Sequence, residues 1–429
     1  MTLEQIEMIA IEQKFPKEKL ENIEETVTTL VKQHKAVQAL PKGAEIAITA
    51  GSRGIANIPL ILRAIVSTLQ QMGYKPFLVP AMGSHGGATA EGQLQVLHHL
   101  GITEETVGAE IRSSMEVKLI GYTEDNIPIY IDKHASEADG IIVVNRVKPH
   151  TAFRGRVESG LSKMVTIGLG KRKGASFVHA SGAQHMAKNI EAVCRGALKN
   201  SRILMGIAIV ENSYDETALI ASVDRENWFE KEAELLEKAK QMMPSLPLPY
   251  IDVLIVEEIG KIFSGTGMDP NIIGRWRIDG VPEPETPHMK RIVVLDLAEQ
   301  SFGNAQGIGL ADFTTEQLVK KMDRHATYTN AMTSTYLQRA MLPFIYETEK
   351  EAIEQALRSL GPDADYREVK VVQIPNTLHL DQLIVSKPVV EEMKRKNIPF
   401  VEKEAVPWDF DASGKLVHRL STISHKGVS

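Results

Sequence analysis

The chain from Val147 to Lys163 (Val-Lys-Pro-His-Thr-Ala-Phe-Arg-Gly-Arg-Val-Glu-Ser-Gly-Leu-Ser-Lys), continued by Val178-His179-Ala180-Ser181-Gly182, concentrates reactive side chains. Histidine ligates metal or moves a proton near neutral pH, lysine forms covalent adducts or pairs with phosphate, and glycine lets backbone approach a ligand closely. By residue type alone the stretch also reads as an exposed basic loop. Two shorter segments carry related chemistry: Gly83-Ser84-His85-Gly86-Gly87 and Gly51-Ser52-Arg53-Gly54.

The elements that must position these groups alternate. Glu45 to Ala50 reads as a short buried strand running into Ser52-Arg53. A helix follows, with Asn57 as its cap, Pro59 in its first turn, and Ile58, Ile61, Leu62, Ile65, Leu69 and Met72 at helical spacing until Gly73. Lys75 to Ala81 is the next strand, Ser84-His85 its exit loop, and Thr89 the cap of another helix. A third apolar run, Gly140 to Asn145, leads to Arg146, Lys148 and His150. This strand–loop–helix rhythm predicts a mainly parallel sheet, in which ligands bind beyond the carboxyl ends of the strands. Three strand exits thus converge on one rim.

Before residue 45 the chain reads as charged and helical. Near residue 244, three prolines within Met243-Pro244-Ser245-Leu246-Pro247-Leu248-Pro249-Tyr250 make a stiff connector. Beyond it come strand candidates at 251–256, 291–297 and 369–374 and helical patterns at 314–324 and 388–396. The expected architecture is two α/β domains with mainly parallel sheets and a cleft between them. The catalytic and cofactor-binding domain spans 1–249, and a second domain closing the substrate cleft spans 250–429.

Composition narrows the partners. The 429 residues are 43% hydrophobic and 24% charged, an ordinary globular balance, and the net charge of −6 offers no basic footprint for nucleic acid or an anionic membrane. Any anionic ligand must be held by local charge. The one cysteine, Cys194, falls in the apolar stripe Ile190, Val193, Ala197, Leu198 and reads as packing in a reducing compartment. An acidic start and the lack of any stretch near ~18 uninterrupted apolar residues point to the cytoplasm. His98-His99 reads as a helix surface, His185 as a neighbour of the site at most, and Glu257-Glu258 as a solvated strand end. Gly168-Leu169-Gly170-Lys171-Arg172-Lys173-Gly174 resembles a phosphate loop but lacks the Walker spacing, so a basic surface turn competes with it.

The order of a Gly-Ser-His loop, a strand followed by His-x-Ala-Phe, a small-residue stretch ending in lysine, and a histidine sixteen residues later resembles the nickel-pincer lactate racemase family. The resemblance implies a cofactor, the nickel complex of pyridinium-3,5-bisthiocarboxylic acid mononucleotide, tethered through a lysine and completed by a histidine. Carried over, His85 and His150 match the acid/base pair, Lys163 the tether and His179 the nickel ligand, with Ser84 beside the cofactor. The interval from His150 to Lys163 is longer than in the family, as if Arg156-Val157-Glu158 were inserted. Ser52-Arg53 matches the family's Asp-x-Thr-Arg, with Ala50 in place of the aspartate and Arg53 facing substrate and cofactor. Asp269-Pro270-Asn271-Ile272-Ile273-Gly274-Arg275-Trp276-Arg277 resembles Asp-x-Asn-Leu-Tyr-Gln-x-x-Lys, which makes Arg277 a second carboxylate-binding cation.

The implied activity is inversion at the 2-carbon of a 2-hydroxy acid by proton-coupled hydride transfer, with cofactor-maturation enzymes as partners. Ile273 and Gly274, where the family has tyrosine and glutamine, leave room for a longer acid such as a sugar acid. A nucleotide- or anion-binding relative without racemase activity is the alternative.

Overall fold

The computed structural model describes residues 3–180 and 182–421. Residues 16–243 form one unit, and the first fifteen residues join residues 244 onward in the other.

The 16–243 unit is built on a five-stranded sheet in the order Lys75–Pro80, Glu45–Ala50, Gly140–Arg146, Ile203–Glu211, Thr217–Asp224. The first four strands are parallel and the last is antiparallel. The alternation of a pleated strand distributes side chains to two cores: Ile46 and Ile48 enter one with the helix Ile58–Gln71, and Ala47 enters the other with Val193, Cys194 and Trp228. Cys194 is a buried free thiol, as its apolar stripe predicts. Asn57 precedes the helix with a left-handed backbone and gives no side-chain cap, whereas Thr89 accepts from Gly92 N–H and caps the helix Ala90–His99.

In the other unit the order is Phe344–Tyr346, Phe313–Thr315, His288–Leu297, Tyr250–Ile259, Val371–Ile374, Gln382–Ser386, Met8–Gln13, Phe400–Val406, eight strands in all. The first five are mutually parallel and the rest antiparallel. The N-terminus therefore departs from the sequence reading. Met8–Gln13 is a strand, not a helix, and is paired on both sides, so it belongs to the second unit instead of extending the first. Glu257 also departs: it is fully buried, accepts from Leu420 and Ser421 N–H, and fixes the C-terminal stretch instead of meeting solvent. Among the described residues, no helix is long and apolar enough to cross a membrane.

Candidate active site

The loop after Lys75–Pro80 is held in an unusual backbone shape. Gly83 and Gly86 have φ of +63° and +67°, and a Cβ at Gly86 would sit 2.5 Å from the Gly92 carbonyl carbon. Behind the loop, buried Gln93 donates to the Gly83 carbonyl at 2.9 Å and to that of His85 at 3.3 Å. The Gln93 carbonyl accepts from Lys171 at 3.0 Å, and Lys171, itself fully buried, pairs with Asp132 at 3.2 Å. Lys171 is therefore an internal prop, and the phosphate-loop reading of Gly168–Gly174 fails because its central cation never reaches solvent. At the front, His85 Nδ1 contacts Ser52 Oγ. A hydroxyl donates or accepts, so either His85 tautomer is satisfied there.

His150 is held from three sides. Its backbone N–H donates to Glu158 at 2.7 Å, its carbonyl accepts from Arg154 at 2.7 Å, and its ring stacks on Phe153 with centroids 4.1 Å apart. The segment that looked inserted thus supplies the carboxylate that anchors this loop. Ala152 N–H donates to His150 Nδ1 at 3.1 Å, so Nδ1 carries the lone pair and the hydrogen-bond pattern assigns the proton of the neutral ring to Nε2. Nε2 lies 2.7 Å from Lys163 Nζ. The ring proton then points at the amine, which must offer a lone pair and be neutral. Burial, followed by the charges of Arg53 and Lys148, pulls the Lys163 pKa down to about 7, in accord with that assignment.

Cations gather around this pair. Arg146, at the end of its strand, is paired with Glu211, which also accepts from Ala56 N–H at 2.6 Å and ties the Arg53 loop to the strand ends. Arg53 has no carboxylate partner among the described residues. The residue as a whole is exposed, yet desolvation and then the Arg146 charge lower its pKa. His179, near the end of the helix Lys171–His179, is lowered by desolvation and then by Lys163. Arg53, Lys148, His150, Lys163 and His179 thus form one electrostatic cluster, joined to His85 through Ser52. Ser84 is exposed in the same loop, and Ser181 lies outside the described residues.

Arg277 is placed differently. Its guanidinium bonds Asp312 at 3.1 Å and the carbonyls of Gly309 and Ala311, within the second unit. Ile273 is fully buried, and a Cβ on Gly274 would meet the Pro287 carbonyl oxygen at 1.5 Å. The room expected for a longer acid is therefore filled by the protein itself.

One group escaped the sequence reading. Glu232 is buried behind Lys163 and accepts from Ser162 N–H at 3.1 and 3.0 Å and from the Ser162 hydroxyl, whose oxygen in turn accepts from Trp228 Nε1 at 3.1 Å. It caps the turn Leu161–Lys163, where Gly160 has no side chain to do so and where a Cβ would meet Glu232 at 2.2 Å. Burial raises its pKa to about 7. The available signal was a carboxylate on the apolar stripe of Trp228, Phe229, Leu235, Leu236 and Ala239.

No group of three or more His, Cys, Asp or Glu side chains able to hold a metal occurs among the described residues. A metal ion beside His179 would need most of its donors from a non-protein ligand. The cluster suits one: an anionic mononucleotide fits its positive charge, and a Lys163 amine whose pKa is lowered to about 7 suits an acyl attachment.

Comparison with known proteins bears on the same region. Residues 3–190 match the lactate racemase N-terminal domain. No curated protein sequence matches the chain. The lactate racemase apoprotein of Thermoanaerobacterium thermosaccharolyticum is similar in structure, with a TM-score of 0.51 at 14% identity over 86% of this chain and 98% of that one. A Thermotoga maritima structural-genomics protein gives 0.50 at 13% identity over 83% and 96%. At such identities the structural likeness speaks for the α/β fold alone. Residues 3–190 thus carry the match to the lactate racemase N-terminal domain, and the chain shares its fold with these solved structures.

Proposed function

We propose that this protein is an isomerase that inverts the 2-carbon of a 2-hydroxy acid with a nickel-pincer nucleotide held by Lys163 and His179. The observation that carries the reading is the Lys163 amine, 2.7 Å from His150 Nε2 and with its pKa pulled down to about 7 by burial and the neighbouring cations. When bound, the nucleotide supplies a two-electron sink beside the substrate, which simple proton removal from a carbon next to a carboxylate lacks. Arg53 and Lys148 offer the charge for the nucleotide phosphate and the substrate carboxylate. Arg277, already engaged by Asp312, is not needed for this.

His85 and His150 take and return the hydroxyl proton from opposite configurations. Ser52 supports both states of His85 because its hydroxyl reverses direction. His150 is engaged as long as Lys163 keeps its lone pair. Acylation of that amine would remove this acceptor and free His150 Nε2 to face the substrate hydroxyl.

The test is production of the full chain together with cofactor-synthesis enzymes, followed by metal analysis, mass spectrometry of the Lys163 peptide and a panel of 2-hydroxy acids. The expected result is nickel near one per chain, a Lys163 adduct and inversion of at least one acid. Nickel and adduct without inversion of any acid would favour the anion-binding relative, and neither nickel nor adduct would overturn the cofactor assignment.

A further inference from the structure

The eight-stranded sheet has two unlike edges. The outer strand Phe400–Val406 is charged, with Glu402 paired to Lys394 and Lys403 to Glu12, the arrangement that keeps a sheet edge from pairing with other chains. The opposite edge carries no charge, and what guards it is a three-residue strand preceded by Pro343. Met341-Leu342-Pro343-Phe344-Ile345-Tyr346 is six consecutive uncharged residues, of which Met341, Leu342, Phe344 and Ile345 are 59%, 40%, 69% and 41% exposed. The preceding turn and helix add Leu337 at 51% and Met332 at 67%. Exposed apolar runs of this length are rare without a function.

The backbone gives the edge a direction. Phe344 and Tyr346 turn their hydrogen-bonding groups to the strand Phe313–Thr315, and Phe344 N–H donates to Asp312 at 3.0 Å. Ile345 therefore turns its N–H and C=O outward. Two antiparallel residues that face each other in this way exchange both hydrogen bonds, so Ile345 of one copy is complementary to Ile345 of another across a two-fold axis. Taking roughly 200 Å² for a fully exposed large side chain, the patch offers about 600 Å² of apolar surface per copy. With a polar rim this approaches the ~800 Å² per partner of a standard interface. Within Met341–Tyr346 no charged side chain would be carried into the contact.

We propose that this protein forms a two-fold dimer through this edge, with Ile345 on the axis and the two sheets continuous across it. The inference is independent of the catalytic reading. It is tested by the mass of the full-length protein in solution, by light scattering and sedimentation at about 20 μM chain. A dimer is expected for the wild type. Ile345→Lys sets like charges opposite each other and should weaken dimerisation at least about tenfold, with an unchanged circular dichroism spectrum. Mixing Ile345→Lys with Ile345→Glu should restore the dimer. A monomeric wild type overturns the proposal, as does an Ile345→Lys variant that dimerises as tightly as wild type. Failure of the mixed variants to pair overturns the two-fold register.

Discussion

Lys163 is where the protonation states of the site meet. A folded-state pKa near 7 against 10.5 for the free side chain means that the unfolded chain binds the extra proton between those values. Stability therefore rises with pH across that window, and the penalty of burying the ammonium is fully present below about pH 7. Lys163→Met should raise the melting temperature at pH 6 by about 2–4 °C or more, with a smaller gain at pH 9. A gain equal at both pH values would refute the depressed pKa. Glu232 works in the opposite sense. Raised from 4.5 to about 7, it binds a proton in the folded state that the unfolded chain has released, so its stabilisation is lost as pH climbs through that interval. Glu232→Gln should flatten the fall in stability between those limits in melting curves. His85, His150, Lys163 and His179 could be singled out as candidates in the sequence because their chemistry lies in residue type and order. Ser52, Glu158 and Glu232 act through what they touch, and only the fold brings Glu232 to Ser162 across seventy positions.

Among the elements, the loop carrying His85 depends on a buried chain of contacts from Asp132 through Lys171 to Gln93. Desolvating an ion pair is expensive, and removing one partner leaves the other charge uncompensated. Lys171→Met should therefore destabilise the protein by about 3–5 kcal/mol in urea unfolding, while the double change with Asp132→Leu should recover much of the loss. Equal losses in single and double variants would mean that the pair contributes only packing. Glu45–Ala50 and Gly140–Arg146 were readable because central parallel strands are apolar on both faces, which leaves unbroken hydrophobic runs, and the edge strand Lys75–Pro80 because all but its first residue is buried. Met8–Gln13 was not readable. Its six residues follow a charged start, and its partners Gln382–Ser386 and Phe400–Val406 lie at the far end of the chain, where no local pattern points to them.

Across the whole molecule, a net charge of −6 coexists with a cationic cluster confined to the 16–243 unit. Arg53 and Lys148 both depress Lys163, and Lys163 in turn depresses His179. A dianionic ligand compensates these cations, raises the Lys163 pKa and binds the folded state alone. Stabilisation by such a ligand grows with its concentration relative to its dissociation constant and reaches about 2.7 kcal/mol at a hundredfold excess. Nicotinic acid mononucleotide, which has the phosphate and the pyridine carboxylate but no metal, isolates this electrostatic part of recognition. In hydrogen exchange it should slow amides in 51–54, 83–87 and 146–163 and leave 250–421 unchanged. The protection should weaken as salt rises from about 50 to 500 mM, because exposed charges are screened over a Debye length. Arg53→Met should abolish most of it, since Arg53 has no carboxylate partner among the described residues and is the cation most available to a ligand. Protection that persists in Arg53→Met, or that appears in the second unit instead, would place the anion site elsewhere.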